Sequence, residues 1–270
     1  MKQKGKLFLL LVFGAIGAIS WNAAAERGHA QQKVEDAYKS NTCVQCHSQL
    51  VEPLLVSSKH LEWQFSAHEA KGVGCEKCHG GDAAAKDKKK AHAGILPSTN
   101  IESRLSMRNQ PDTCGACHQN IIAEFMKSSH YKQLKGIGLG PSCGNCHGHM
   151  ATQVVYEASA TADLCARCHD SINFMQPRPD IPVRARETML ALQRADWVLT
   201  WSHLLIADGQ KRGIKLDAET NEVKQTQEIL RDAQVKWHGF DLAGVRKRAD
   251  EAYIKGSKVK EGLRKKLISE

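Results

Sequence analysis

The chain has 270 residues and a formal net charge of +9 at pH 7, from 38 Lys and Arg residues against 29 Asp and Glu residues. A basic excess of this size is compatible with binding to nucleic acid or to an anionic membrane, so charge alone does not decide the class of protein. Beyond residue 25 no stretch is apolar enough to span a membrane, which excludes a protein with several membrane-spanning helices.

The amino terminus has the pattern of an export signal. Three lysines within the first six residues precede an apolar run over 7–19, and residues 23–25 are all alanine. The apolar run is shorter than the about 20 residues that a spanning helix needs. We predict a signal peptide over residues 1–25 that is removed after Ala25; a signal that is not cleaved would instead be a membrane anchor.

All ten cysteines lie in five copies of one motif, Cys-x-x-Cys-His. Zinc binding and a disulfide would each explain a Cys-x-x-Cys pair, but only covalent attachment of haem c requires a histidine directly after the second cysteine. The two thiols bond to the haem vinyl groups, and the histidine is the proximal ligand of the iron. The predicted attachment cysteines are Cys43, Cys46, Cys75, Cys78, Cys114, Cys117, Cys143, Cys146, Cys165 and Cys168, and the predicted proximal histidines are His47, His79, His118, His147 and His169.

Five covalently bound haem c groups, which are the predicted cofactors, alter the net charge of the mature protein. Removal of the signal peptide takes away three lysines, which lowers the net charge from +9 to +6. Each haem adds two propionates, so the basic excess is interpreted as balancing haem carboxylates. We therefore predict no binding to nucleic acid.

A proximal histidine leaves the opposite face of its iron open. An electron carrier closes that face with a second strong ligand, whereas an enzyme leaves one face open. Of the 13 histidines, five that are not proximal lie between the first and last motifs. These five candidate distal ligands are His60, His68, His92, His130 and His149.

Sequence position limits what some histidines can do. His149 is two residues from His147, so it cannot reach round the porphyrin to the same iron and is predicted to bind the iron of a neighbouring haem. His29, His203 and His238 lie outside the motif region and are predicted to be surface or packing residues.

The motif region is too short for five separate protein cores. The five motifs occupy 43–169, about 25 residues per haem, so the haems themselves are predicted to form the core, with short helices and few strands around them. We predict a pentahaem cytochrome c domain over 26–176 and a proline-rich linker over 177–182.

The remaining region, 183–270, contains neither cysteine nor proline. Apolar residues at helical spacing predict a long helix that ends near Gly209 and Gly213, followed by helices at about 217–236 and 242–267. The predicted fold is mainly α, with a haem-packed core and a C-terminal helical hairpin or bundle that covers it. Association into a homo-oligomer through these helices is an alternative use of the same region.

Several of these segments resemble a known group of proteins. The segments "EWQFSAH" at 62–68 and "EFMKSSH" at 124–130 each precede a Cys-x-x-Cys-His-Gly, "CARCHD" occupies 165–170, and a helical tail follows. The chain resembles the multihaem cytochromes c related to hydroxylamine oxidoreductase, its tetrahaem electron-accepting cytochrome, and the pentahaem cytochrome c nitrite reductases. The resemblance implies closely packed haems, mostly with two histidine ligands each. Nitrite reductases of this group typically carry one Cys-x-x-Cys-Lys, which this chain lacks, and the difference argues against nitrite reduction.

The predicted function is that of an exported pentahaem c-type cytochrome, periplasmic or extracellular, that relays electrons between redox partners. The predicted partners are other cytochromes or a membrane quinol-oxidising complex, and no catalytic residue is predicted. The alternative is a multihaem oxidoreductase in which one open-faced haem acts on a small nitrogen or sulfur compound.

Overall fold

The computed structural model describes residues 38, 40–148, 157–170 and 177–270. Every regular element in these residues is helical, which confirms the predicted mainly α fold. The α-helices are α1 (Thr42–His47), α2 (Leu54–Gln64), α3 (Cys75–His79), α4 (Lys88–Ala91), α5 (Gln110–Gly115), α6 (Gln119–Phe125), α7 (Ser129–Ile137), α8 (Cys143–His147), α9 (Ala158–His169), α10 (Asp180–Lys211), α11 (Asp217–Lys236) and α12 (Leu242–Ser269), with 3-10 turns at Glu69–Lys71 and Trp237–Gly239.

The chain divides after Arg104 into two compact units. The first contains the first two motifs, and the second, from Leu105 onward, contains the other three together with the C-terminal helices. None of the helices in the described ranges combines the length and the apolar character that a membrane crossing needs.

The first unit has very little apolar core of its own. Trp63 on α2 is its one buried apolar side chain among the described residues. The indole Nε1 of Trp63 donates a hydrogen bond to the Val73 carbonyl at 2.9 Å, and the Tyr38 ring packs edge-on against the indole at 4.9 Å. Asn41 caps α1 by accepting from the backbone N–H groups of Cys43 and Val44. Local hydrogen bonds, rather than a packed core, therefore organise the protein part of this unit.

The second unit contains an extensive core at its C-terminal end. Of the 24 buried apolar residues in the described part of the chain, 21 lie between Ala158 and Leu267. The long helices α10, α11 and α12 pack against one another, and α9 packs against α10. Gly256 lets α12 approach α10 closely, because a Cβ at this position would lie only 2.9 Å from Cγ1 of Val198. The predicted C-terminal helical bundle is thus observed.

Helix α10 begins earlier than the sequence pattern predicted. It starts at Asp180, within the predicted linker 177–182, and Pro182 is buried in its first turn. Proline is tolerated there because the first N–H groups of a helix have no partner within the helix. The domain limits proposed from composition remain predictions.

Candidate haem-binding sites

The five motifs form short helical turns. The first, second and fourth lie in α1, α3 and α8, the fifth ends α9, and the third spans the end of α5 and the residues before α6. In a helix, residues three and four positions apart share a face, so this conformation brings the two thiols and the histidine of a motif to one side. All ten cysteines lie within the described ranges, and all ten thiols are free of disulfides. The four motifs that lie in helices therefore have an arrangement compatible with covalent haem attachment, which stays a prediction.

Motifs three and four lie directly against each other. The backbone N–H of Gly144 donates to Oε1 of Gln110 at 2.9 Å, which joins α8 to α5. A hydrogen bond between the thiols of Cys114 and Cys143 raises the pKa of Cys114 and lowers the pKa of Cys143. Since these two cysteines belong to different motifs, their predicted haem attachment points are adjacent.

Two further pairs of motifs are neighbours. Burial raises the pKa of the Cys75 thiol to about 11, and the charge of Cys43 contributes to the same shift. Burial also raises the pKa of Cys165 to about 11, with a contribution from Cys146. Motifs one and two are thus close together in the first unit, and motifs three, four and five form a continuous series in the second.

Three of the predicted proximal histidines face a second histidine at nearly the same distance. The ring centroids are 6.1 Å apart for His47 and His92, 6.0 Å for His169 and His130, and 6.1 Å for His147 and His238. An imidazole nitrogen lies about 2 Å from a metal that it binds, so two imidazoles on opposite sides of one iron have ring centroids about 6 Å apart. The three pairs therefore fit the spacing of two axial ligands.

In His92 and His238, hydrogen bonds define which ring nitrogen is available to bind a metal. Nδ1 of His92 lies 2.8 Å from the Lys88 carbonyl oxygen, and Nδ1 of His238 lies 3.2 Å from the carbonyl oxygens of Gln234 and Val235. A carbonyl oxygen only accepts, so each Nδ1 carries the proton and each Nε2 carries the lone pair. A metal-bound histidine is commonly oriented by such a bond from its other nitrogen.

Burial disfavours the charged form of three of the paired histidines, and the neutral form is the one that binds a metal. Desolvation lowers the pKa of His47, His130 and His238, and in each case the histidine facing it lowers the pKa further. Desolvation likewise lowers the pKa of His79, with an additional effect of His47. The local electrostatics thus favour the ligating form of the ring.

His60 has a buried ring nitrogen that is suited to bind a metal. Its Nε2 is buried and has no hydrogen-bond partner, and burial lowers its pKa. An imidazole nitrogen that is removed from water without a partner is costly unless a metal or other group occupies its lone pair. The position of His60 therefore suits a haem ligand, and its charge acts on His47 in the same unit.

The remaining predicted distal ligands are less defined. His68 is partly buried and immediately precedes the 3-10 turn, where its carbonyl oxygen accepts from the N–H groups of Lys71 and Val73. His149 lies outside the described residues. Ligation by His60, His68, His92, His130 and His149 therefore stays a prediction, and the geometry gives specific support to His92 and His130.

Sequence reasoning missed the position of His238. It assigned both histidines of the tail to the surface or to packing, and His203 is indeed exposed on α10. His238, in contrast, is half-buried in the turn after α11 and faces His147. The sequence feature that could have indicated a buried position is local composition. The segment Trp-His-Gly-Phe at 237–240 is aromatic and lies between two highly charged helices.

Two family models match the parts of the chain that contain the motifs. Residues 99–170, which contain the last three motifs, match the family model for cytochrome c7 and related cytochrome c, and residues 15–80, which contain the first two, match the model for cytochrome c554 and c-prime. The chain is therefore a multihaem c-type cytochrome, a class that carries covalently bound haem c.

The chain is also similar to two curated proteins of Geobacter sulfurreducens. It is 30% identical over 173 residues to the C-type polyheme cytochrome OmcC of strain ATCC 51573 / DSM 12127 / PCA. The aligned residues cover 56% of this chain and 21% of the relative. It is 30% identical over 181 residues to the C-type polyheme cytochrome OmcB of strain DL-1 / KN400, covering 60% of this chain and 22% of the relative. The chain thus spans about a fifth of the length of these relatives. No solved structure matches it.

Proposed function

We propose that this protein is an exported pentahaem c-type cytochrome that relays electrons between redox partners. The observation that carries the proposal is the repeated facing of a motif histidine by a second histidine at 6.0 to 6.1 Å. Such pairs close both faces of an iron and leave its geometry nearly unchanged on oxidation, which suits an electron carrier better than an enzyme.

The arrangement of the attachment cysteines supports the same proposal. When bound, haem c supplies one-electron exchange between ferric and ferrous iron. The thiols of Cys114 and Cys143 are close enough that a hydrogen bond between them shifts both pKa values, and Cys43 is close enough to Cys75 to raise its pKa. Neighbouring attachment points within each unit are what a relay needs.

The scarcity of protein core around the motifs also fits this function. Three of the 24 buried apolar residues lie among the described residues up to 148: Trp63, Phe125 and Leu134. Large apolar side chains such as Phe65 and Ile101 are instead 85% and 64% exposed. Bound porphyrins would supply the apolar surface that these segments lack.

Relatives named as polyheme cytochromes suggest that the partners are other cytochromes, and a membrane quinol-oxidising complex is a second partner of suitable chemistry. In its narrower form, the proposal places this protein in the group of multihaem cytochromes related to hydroxylamine oxidoreductase. Export to the periplasm or beyond the cell follows from the signal pattern in residues 1–25 and from the site of haem c attachment.

The test uses the purified holoprotein. Intact mass spectrometry is expected to give a chain that begins at Glu26 and carries five haems. Electron paramagnetic resonance of the oxidised protein is expected to show low-spin haems only, and the reduced protein is expected to bind no stoichiometric carbon monoxide while passing electrons rapidly to a second cytochrome. One high-spin haem in the wild-type protein, together with turnover of a small nitrogen or sulfur compound, would establish the oxidoreductase alternative instead.

A further inference from the structure

We propose that His238, in the turn between α11 and α12, is the second axial ligand of the iron held at the fourth motif. The C-terminal helices would then be part of a haem site and not only a cover for it. This inference rests on the proposed function in one respect, which is that the fourth motif carries a haem.

The first argument is the relation between the two rings. His147, the last residue of α8, and His238 have ring centroids 6.1 Å apart and ring planes within 11° of parallel. The separation is the same as that of His47 and His92, although the second histidine comes from an entirely different part of the fold. Aromatic side chains also pack at such distances, so spacing alone is not sufficient.

The second argument is the orientation of the His238 ring. Its Nδ1 donates to the carbonyl oxygens of Gln234 and Val235, both at 3.2 Å, in the last turn of α11. His92 uses the same device, since its Nδ1 donates to the carbonyl oxygen of Lys88, four residues earlier. In both residues Nε2 carries the lone pair that an iron ligand needs.

The third argument is the structure of the turn that carries His238. Trp237–Gly239 form a 3-10 turn, and Phe240 follows with a φ of 61°, in the left-handed region that a bulky residue seldom adopts. Unfavourable backbone conformations of this kind are found where a functional arrangement requires them. Here the conformation brings the Phe240 ring edge-on to His130 at 4.2 Å.

One turn therefore contributes to two candidate sites. His238 faces His147 of the fourth motif, while Phe240 contacts His130, the residue that faces His169 of the fifth motif. The helices on either side are held by fully buried residues, Leu230 on α11 and Val245 on α12. The bundle thus provides a rigid support for a ligand.

The test compares holoproteins that differ at a single histidine. His238→Ala is expected to convert one haem per chain from low-spin to high-spin and to create one carbon monoxide site per chain. His203→Ala, at an exposed position of the same C-terminal region, is the matched control and should leave both signals unchanged. Added imidazole should return His238→Gly to the low-spin state, and His238→Met should remain low-spin with one haem raised in potential. If His238→Ala and His238→Met both give the wild-type spectrum and potentials, the proposal is overturned.

A second comparison identifies the haem, because His118 of the third motif also affects His238 electrostatically. The variant Cys143→Ala with Cys146→Ala should carry four haems by intact mass, and adding His238→Ala to it should create no carbon monoxide site. A site that still appears would show that His238 closes a different iron, which contradicts the proposal. Failure of the proposed function is distinguishable, since it would be seen in the wild-type protein as fewer than five haems.

Discussion

The imidazole ring of His130 lies 6.0 Å from that of His169, although His130 belongs to α7 and His169 ends α9. His130 is held by the Phe240 ring at 4.2 Å, and its Nδ1 is buried without a hydrogen-bond partner. The pair joins a residue between motifs three and four to the proximal histidine of motif five. Ligation of one haem by distant parts of the chain would thus contribute to the folding of the second unit.

Replacement of His130 with alanine is expected to open the iron of the fifth motif. One haem should become high-spin and bind carbon monoxide while the other four stay unchanged, because the remaining histidine pairs do not involve His130. Titration with carbon monoxide and electron paramagnetic resonance measure this directly. Lys132→Ala, at an exposed position on the same helix, should have no effect. A His130→Ala protein without a new carbon monoxide site would exclude His130 as a ligand.

Three exposed lysines of α4, Lys88, Lys89 and Lys90, lie just before His92. We expect their replacement with glutamine to slow electron exchange with an acidic cytochrome about tenfold at low ionic strength and to flatten its salt dependence, because steering by opposite charges is lost. Stopped-flow kinetics at several salt concentrations measure the effect.

The control for this charge effect removes three lysines elsewhere: Lys224, Lys258 and Lys265 are exposed on α11 and α12. Their replacement with glutamine changes the net charge equally but should leave the rate within about twofold of wild type. Equal slowing by the two triple variants would show that net charge, and not the lysines near His92, controls association.

Gly256 and Gly262 on α12 offer a matched test of helix packing. A Cβ at Gly256 would lie 2.9 Å from Cγ1 of buried Val198, whereas a Cβ at Gly262 would meet no atom within 4 Å. We expect Gly256→Ala to lower the free energy of unfolding by about 1 to 3 kcal/mol through overpacking. Gly262→Ala should raise it by about 0.5 to 1 kcal/mol through helix propensity. Urea unfolding followed by circular dichroism measures both, and shifts of the same sign would contradict the observed packing of α12 against α10.

Glu219 on α11 and Lys266 on α12 form an ion pair with 2.8 Å between Oε1 and Nζ. The hydrogen bond from Lys266 lowers the pKa of Glu219, so the folded chain holds this proton less tightly than the unfolded chain does. The stabilisation is therefore present above the ordinary carboxyl pKa of about 4.3 and is lost as the pH falls through the lowered pKa.

Glu219→Gln should accordingly be less stable than wild type by about 0.5 kcal/mol near neutral pH, and the difference should shrink as the pH is lowered to about 3. Urea unfolding at the two pH values measures the difference. Glu222→Gln, an exposed position on the same helix, is the control. A stability difference that does not change with pH would show that the pair contributes through packing and not through charge.

The sequence by itself determined the features that depend on local chemistry. Haem c attachment needs two thiols and a histidine within five residues, so each motif is visible without a structure. Helical periodicity is also local, and the helix predicted at about 217–236 is observed at Asp217–Lys236, with the next one, predicted at 242–267, observed at Leu242–Ser269.

Only the tertiary structure decided which histidines face one another. His92 and His130 were plausible from their position between motifs, but nothing in sequence proximity connects His130 with His169 or His147 with His238. The packing of α10, α11 and α12 carries the turn at 237–240 back to α8 and α7, and that packing depends on burial of side chains far apart in sequence. A proximal ligand is set by the covalent motif, which is visible in the sequence. A distal ligand depends on three-dimensional reach, so sequence position gave no sign that His238 faces His147.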